Sequence, residues 1–349
     1  MKLLGRTKRA RDIRAYLLES IKNSKPSIVV DVSEKFGVSR QTVSRHLAFL
    51  TENEWVSSVG HTRNKVYQLG KKRFNSKIYD LRTIKEDVVY RNDFSFIFEN
   101  TSNDIDAICH YGFTEMLNNA IDHSEGTQVR VDAETDGQTI QVSIHDNGEG
   151  IFKHIARIMG LDDQRESLLE LSKGKLTTDP NNHTGEGIFF TSRAFEEFVI
   201  FSGDLSFNHH SEFGHDWLFH MRAQTEGTFV GMRINTNSTL SLDALFDEFS
   251  SGPDDYAFDK TIVPVQLALY EGDRLISRSQ ARRILNRVER FKYVILDFNG
   301  VDSIGQAFAD EVFRVFALSH PEIQISSVNT SKEVLKMINR AIYNKNNSL

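Results

Sequence analysis

The sequence predicts an α/β multidomain chain, and three observations predict it. Its 349 residues exceed the roughly 250 to 300 at which single cores stop growing, so two or three domains are expected. Charge is divided along the chain: residues 1–80 carry 17 Lys and Arg against 7 Asp and Glu, while the remainder carries 25 against 41. Three short stretches rich in glycine, amide and carboxylate, opening at Glu115, Asp146 and Thr184, fall in order within 73 residues. The units expected are 1–75, 76–238 and 239–349.

The formal charge of −6 conceals that asymmetry, and only the N-terminal unit is ready to meet a polyanion. A hydrophobic content of 39% is enough to bury several cores. The single Cys109 excludes an internal disulfide, and the opening residues run into charge before an apolar signal region develops. No run approaches the roughly 18 apolar residues that span a bilayer, so a cytoplasmic protein with no membrane partner is expected.

In the first unit Ile13, Leu17, Leu18 and Ile21 recur at helical spacing, and a second short helix is expected over 30–36. Ser39 can then cap a helix whose Val43, Leu47 and Leu50 face a core. Ser39, Arg40, Gln41, Thr42, Ser44, Arg45 and His46 are left at or near its outer face, with side chains suited to phosphate and groove contacts. Two strands, 55–60 and 65–69, flank a basic tip that contains Arg63 and Lys65. Helix, helix, helix and hairpin is a winged helix-turn-helix order.

The segment 36–47 resembles the turn and recognition helix of bacterial winged-helix transcription regulators, a likeness that covers about residues 9–70. It implies double-stranded DNA as a partner, contacted by Ser39, Arg40, Gln41, Thr42, Ser44, Arg45, Arg63 and Lys65. One such module binds weakly, so a homodimer on repeated half-sites is expected. A winged helix used for protein contacts, or a solvated basic face, is the competing reading.

The second unit carries the chemistry. A helix is expected over 104–123, with Phe113, Met116, Leu117, Ala120 and Ile121 as its apolar stripe. Glu115, Asn119 and His123 stand four apart on a second face. An Asn amide oxygen with bridging waters suits Mg²⁺, and a carboxylate one turn earlier can orient or deprotonate water. Asn119 is thus the candidate metal ligand and Glu115 the candidate catalytic base, although Glu and Asn on an amphipathic helix usually face solvent. Strands over 128–133 and 139–145 follow, and the second delivers Asp146 into a turn with Gly148 and Gly150. A buried carboxylate there can accept from an adenine amino group, while the glycines leave room for the base; a plain Asn-Gly turn is the alternative.

Residues 171–183 are polar and punctuated and read as a mobile lid, from which Lys173 and Lys175 neutralise phosphate unless they are merely solvated. Thr184, Gly185 and Gly187 then open a helix over 188–198, beginning at Ile188, whose free N–H groups can hold phosphate oxygens.

These three motifs, Glu-x-x-x-Asn-Ala, Asp-x-Gly-x-Gly and Thr-Gly-x-Gly-Ile, resemble the N, G1 and G2 boxes of the GHKL ATPase superfamily, and the continuation to His123 looks most like the anti-sigma-factor kinases. The resemblance covers about residues 90–235 and implies a central GHKL α/β sandwich, a mixed sheet with helices on one face. It also implies ATP and Mg²⁺ as cofactors, with Ile151 and Ile188 joining the nucleotide-binding set. No dimerisation helix with a phospho-accepting His precedes it, which disfavours autophosphorylation on His.

In the third unit strands over 261–270, 293–298 and 323–328 alternate with helices over 279–291, 306–318 and 331–342. This stretch resembles STAS-like domains, the fold of anti-sigma-factor antagonists, over about 255–345. In those antagonists a phosphorylatable Ser directly precedes a Gly; here Ile304 holds that place and Ser303 lies one residue earlier. A docking domain for a regulatory partner protein is expected, with Ser303 capping the helix that Gly305 opens. The expected function is an ATP- and DNA-binding regulator, of transcription by the resemblance of its first unit, in which Mg-ATP binding or slow hydrolysis controls DNA or partner binding; the alternative is an anti-sigma-factor-type serine/threonine kinase acting on a partner.

Overall fold

The computed structural model describes residues 7–60, 65–176, 185–212, 215–251, 257–269 and 274–346. Three apolar clusters organise them. The first lies under α1 (Lys8–Lys22), α2 (Ile28–Phe36) and α3 (Arg40–Glu52), followed by the antiparallel pair β1 (Val56–Val59) and β2 (Val66–Leu69). Ile13, Leu17, Val43, Leu47 and Leu50 are all buried, as their spacing requires. Ser39 caps α3 by accepting from the Thr42 N–H at 3.1 Å.

The central sheet has the order β3-β4-β5-β7-β6, formed by β3 (Arg73–Asp80), β4 (Gln128–Thr135), β5 (Thr139–Asp146), β6 (Glu197–His210) and β7 (His215–Asn235). Every described pairing in it is antiparallel, not mixed as expected. Short hairpins join β4 to β5 and β6 to β7, and such joints force those neighbours to run oppositely, while long helical connections separate β3 from β4 and β5 from β7. β3 crosses the position expected to divide the first two units, so the N-terminal helices hang directly from a strand of the central sheet. Arg73 fastens that joint, donating to the Phe96 carbonyl and pairing with Glu99 at 3.2 Å.

Helices cover one face of this sheet. After α4 (Glu86–Val89), a π turn (Tyr90–Phe94) and α5 (Ser95–Phe98) comes the long α6 (Asn103–His123). Ser102 caps α6, and Asp104 and Asp106 sit in its first turn, where the helix dipole favours negative charge. α7 (Ile151–Met159), α8 (Glu166–Lys173) and α9 (Gly187–Ala194) complete the layer. The helix expected to reach residue 198 stops at Ala194, because Phe198 belongs to β6 and packs in the central cluster.

α10 (Leu242–Phe249) leads to a three-stranded parallel sheet of order β10-β9-β8, from β8 (Lys260–Pro264), β9 (Tyr293–Asp297) and β10 (Gln324–Val328). Its crossovers are α11 (Arg278–Leu285) and the run α12 (Gln306–Asp310), a π turn (Glu311–Phe316) and α13 (Ala317–Ser319). α14 (Lys332–Asn346) closes the chain's described part. Ser303 is exposed and does not cap α12; Gly305 occupies the cap position with no side-chain bond. Among the described residues no helix is long and apolar enough to cross a membrane.

Candidate functional site

The apolar stripe of α6 fixes the helix's rotation. With Phe113, Met116, Leu117 and Ala120 in the core, Glu115, Asn119 and His123 are turned together into a cavity of about 270 Å³. Asp146, Ile151, Gly185, Gly187 and Ile188 line the same cavity, so the three sequence motifs meet in one place.

Each member is positioned by neighbours. β5 ends at Asp146, which is 6% exposed, and its Oδ1 accepts from the N–H groups of Gly148 at 2.8 Å and Thr228 at 3.2 Å. Burial pushes its carboxyl above the ordinary value, against the opposing pull of those two N–H groups. Asn147 ties the turn down, its Oδ1 accepting from Thr127 and Gln128 at 2.9 Å each. Gly150 occupies the cap position of α7 and the Ile151 N–H donates to Thr228 Oγ1 at 2.9 Å. Gly187 opens α9 directly against Glu115: a side chain there would collide with Glu115 Oε2. Burial, then the charges of Glu115 and Glu186, push the nearby Tyr111 phenol up.

Among the described residues Asn119 Nδ2 has only a weak contact, 4.0 Å to Met116 Sδ. An amide so lightly held, beside a carboxylate and inside a cavity, fits a Mg²⁺ ligand. The buried Asp146 likewise fits a nucleotide.

Gly148 and Gly150 do not line the cavity: a side chain on the first would meet the Ser124 backbone and one on the second Ser202 Oγ, so these glycines let the turn pack and do not make room for a base. The structure also removes two lysines from the site. Lys173 is 1% exposed and points away from the cavity into the third unit, where Nζ donates to Glu170 Oε1 at 2.7 Å and to the carbonyls of Asn286 at 2.8 Å and Arg283 at 3.2 Å. Residues 171–173 are therefore buried helix and not polar loop. Lys175 Nζ donates to the Arg290 carbonyl at 3.0 Å and lies over the Phe291 ring. Both lysines pack against the third unit, and a solvated or phosphate-facing position is lost to them; residues 177–183 of the expected lid lie outside the described residues. Thr184 and Arg63 lie outside the described residues.

Sequence reading missed four contributors. Gly227 and Thr228 come from β7, where a glycine at φ +66 lets the backbone pass beside the Asp146 carbonyl. The signal was Gly227 breaking the alternation of a long strand. Ser124 and His154 also line the cavity. Of the DNA set, Ser39, Arg40, Gln41, Ser44, Arg45 and Lys65 are exposed and Thr42 is half-buried.

Comparison with known families matches residues 104–232 to the histidine kinase-, DNA gyrase B- and HSP90-like ATPases, and residues 280–335 to a STAS-like domain of unknown function. Comparison with the curated proteins gives no match. Domains of the first kind use ATP with Mg²⁺. The chain thus carries a central ATPase domain of the GHKL type, built around this cavity, followed by a STAS-like domain.

Proposed function

We propose that the chain is an ATP-gated DNA-binding regulator of transcription, in which the state of the central domain controls how the N-terminal helices meet DNA. The observation that carries the reading is the convergence of Glu115, Asn119, His123, Asp146 and Gly187 on one cavity whose flanking helix α8 is fastened to the STAS-like domain. Asp146 has both backbone bonds on Oδ1, which leaves Oδ2 to accept from the adenine amino group, a donor guanine lacks at that position. Asn119 would hold the metal ion, and Glu115 would orient or deprotonate the attacking group. Bound Mg-ATP supplies a transferable phosphoryl group.

Two connections support gating. The C-terminal end of α8 is pinned by Lys173, while Arg287 Nη2 and Arg290 Nη1 donate to the Lys175 carbonyl at 2.7 and 3.0 Å. At the other end β3 joins the basic module to the central sheet without a break. The central domain is thereby tied to the domains on both sides.

The test is incubation of the full chain with γ-labelled ATP, with and without duplex DNA, followed by salt-dependent retention of the DNA. Nucleotide-dependent retention supports the regulator. Label transferred to a protein Ser or Thr favours the kinase alternative, in which Glu115 activates a partner's hydroxyl. Retention that ignores nucleotide defeats the gating.

A further inference from the structure

His154 stands on α7, one turn past Gly150, and is 7% exposed. It forms part of the cavity wall with His123 and Ser124. Its Nδ1 lies 2.7 Å from Glu149 Oε1. Arg157 also bonds Glu149 and reaches Glu125 Oε1 at 2.6 Å. That guanidinium, with His154 behind it, holds the Glu149 carboxyl below its ordinary range. An ionised carboxylate only accepts, so Nδ1 carries the proton. Arg157 Nη2 also approaches Nδ1, at 3.3 Å, but this is the longer contact, and Arg157 is already engaged by two carboxylates.

With one proton on Nδ1 the uncharged form of the ring has a lone pair at Nε2, and among the described residues Nε2 is buried without a hydrogen-bond partner. Buried polar nitrogens are seldom left so in a native fold. Resting on the ATP reading above, we infer that His154 Nε2 accepts a hydrogen bond from a ribose hydroxyl of the bound nucleotide, with Glu149 as its positioning residue. The chemistry selects the ribose. Phosphate oxygens accept and have nothing to donate, and the adenine amino group is taken by Asp146. The donors that remain on the nucleotide are the 2′ and 3′ hydroxyls. The Glu149–His154 pair then makes the cavity selective for ribonucleotides.

Calorimetry on the full chain with ATP, 2′-deoxy-ATP and 3′-deoxy-ATP tests this. ATP should bind roughly two- to tenfold more tightly than one of the deoxy analogues, the worth of one neutral hydrogen bond. His154→Leu should bind ATP and that analogue equally. Equal binding of all three by the parent chain, or a preference that persists in His154→Leu, overturns the role of His154 and spares the ATP reading. Failure of every nucleotide to bind overturns both. A second measurement needs no variant at His154: imidazole ¹⁵N shifts should report the Nδ1–H tautomer, scrambled by Glu149→Gln, and an Nε2–H tautomer in the parent chain would refute the assignment.

Discussion

Lys173 Nζ lies 2.8 Å from the backbone carbonyl of Asn286, 113 residues further along the chain. The ammonium is enclosed by the Glu170 carboxylate and two carbonyls at the C-terminal end of α11, where the helix dipole favours a cation. Its three donors are thus spent on three acceptors. Lys173→Met leaves Glu170 buried, with Arg287 3.7 Å away as its remaining charged neighbour. Removing one partner of a buried pair costs about 3–5 kcal/mol, which denaturant titration should register, and Lys173→Met with Glu170→Leu should recover most of it. An unchanged midpoint for the single variant would show that this contact does not hold the two domains together.

Gly187→Ala should separate folding from turnover. A methyl group at the start of α9 first meets the carboxylate end of the Glu115 side chain, which swings aside, and alanine is the better helix former by about 0.5–1 kcal/mol. The melting temperature should hold or rise, whereas phosphate release should fall at least as far as in Glu115→Gln. Full turnover in Gly187→Ala would take Glu115 out of the role of base.

Asp146 sets stability against binding. Because burial raises its folded-state pKa, the folded chain holds the proton more tightly than the unfolded one. Its contribution to stability is therefore fully present below about pH 4 and is lost as pH rises through the folded value. Asp146→Asn keeps an oxygen for the Gly148 and Thr228 N–H groups and removes that loss. At neutral pH the variant should be as stable as the parent or more so, yet bind ATP roughly 10- to 100-fold more weakly, the worth of a hydrogen bond to a charged group. A variant that is less stable, or binds equally well, contradicts the assignment.

What the sequence made legible follows from the range of each signal. Helix α6 and the alternation of β4 and β5 are periodicities of adjacent residues, and Glu115, Asn119, His123 and Asp146, read from them, line one cavity. Lys173 and Lys175 were misread because their environment is made by residues more than a hundred positions away; a polar loop and a helix end buried under another domain look the same locally. The direction of β3 and β7 in the sheet is likewise a long-range property. Thr228 was hidden for the same reason, since its bond to Ile151 spans 77 residues.

The exposed face of α3 gives the last prediction. Arg40 and Arg45 stand free of the buried stripe Val43, Leu47 and Leu50, and Ser39 fixes the helix start. His46, half-buried and facing Arg14 at 3.1 Å, is held uncharged chiefly by burial and then by the Arg14 and Arg45 charges, so at neutral pH the arginines carry the positive charge of this face. Each arginine that neutralises one phosphate contributes about −0.9 to the slope of log affinity against log salt. Arg40→Ala and Arg45→Ala should each flatten that slope by about 1 and weaken retention of any duplex, with fold and ATP binding unchanged because neither residue touches the core or the cavity. Replacing the exposed Lys332 at the start of α14 should leave the slope as it was. If both arginine variants keep the parent slope, α3 is not the surface that meets the nucleic acid, and the positive charge of the first 80 residues serves a protein partner instead.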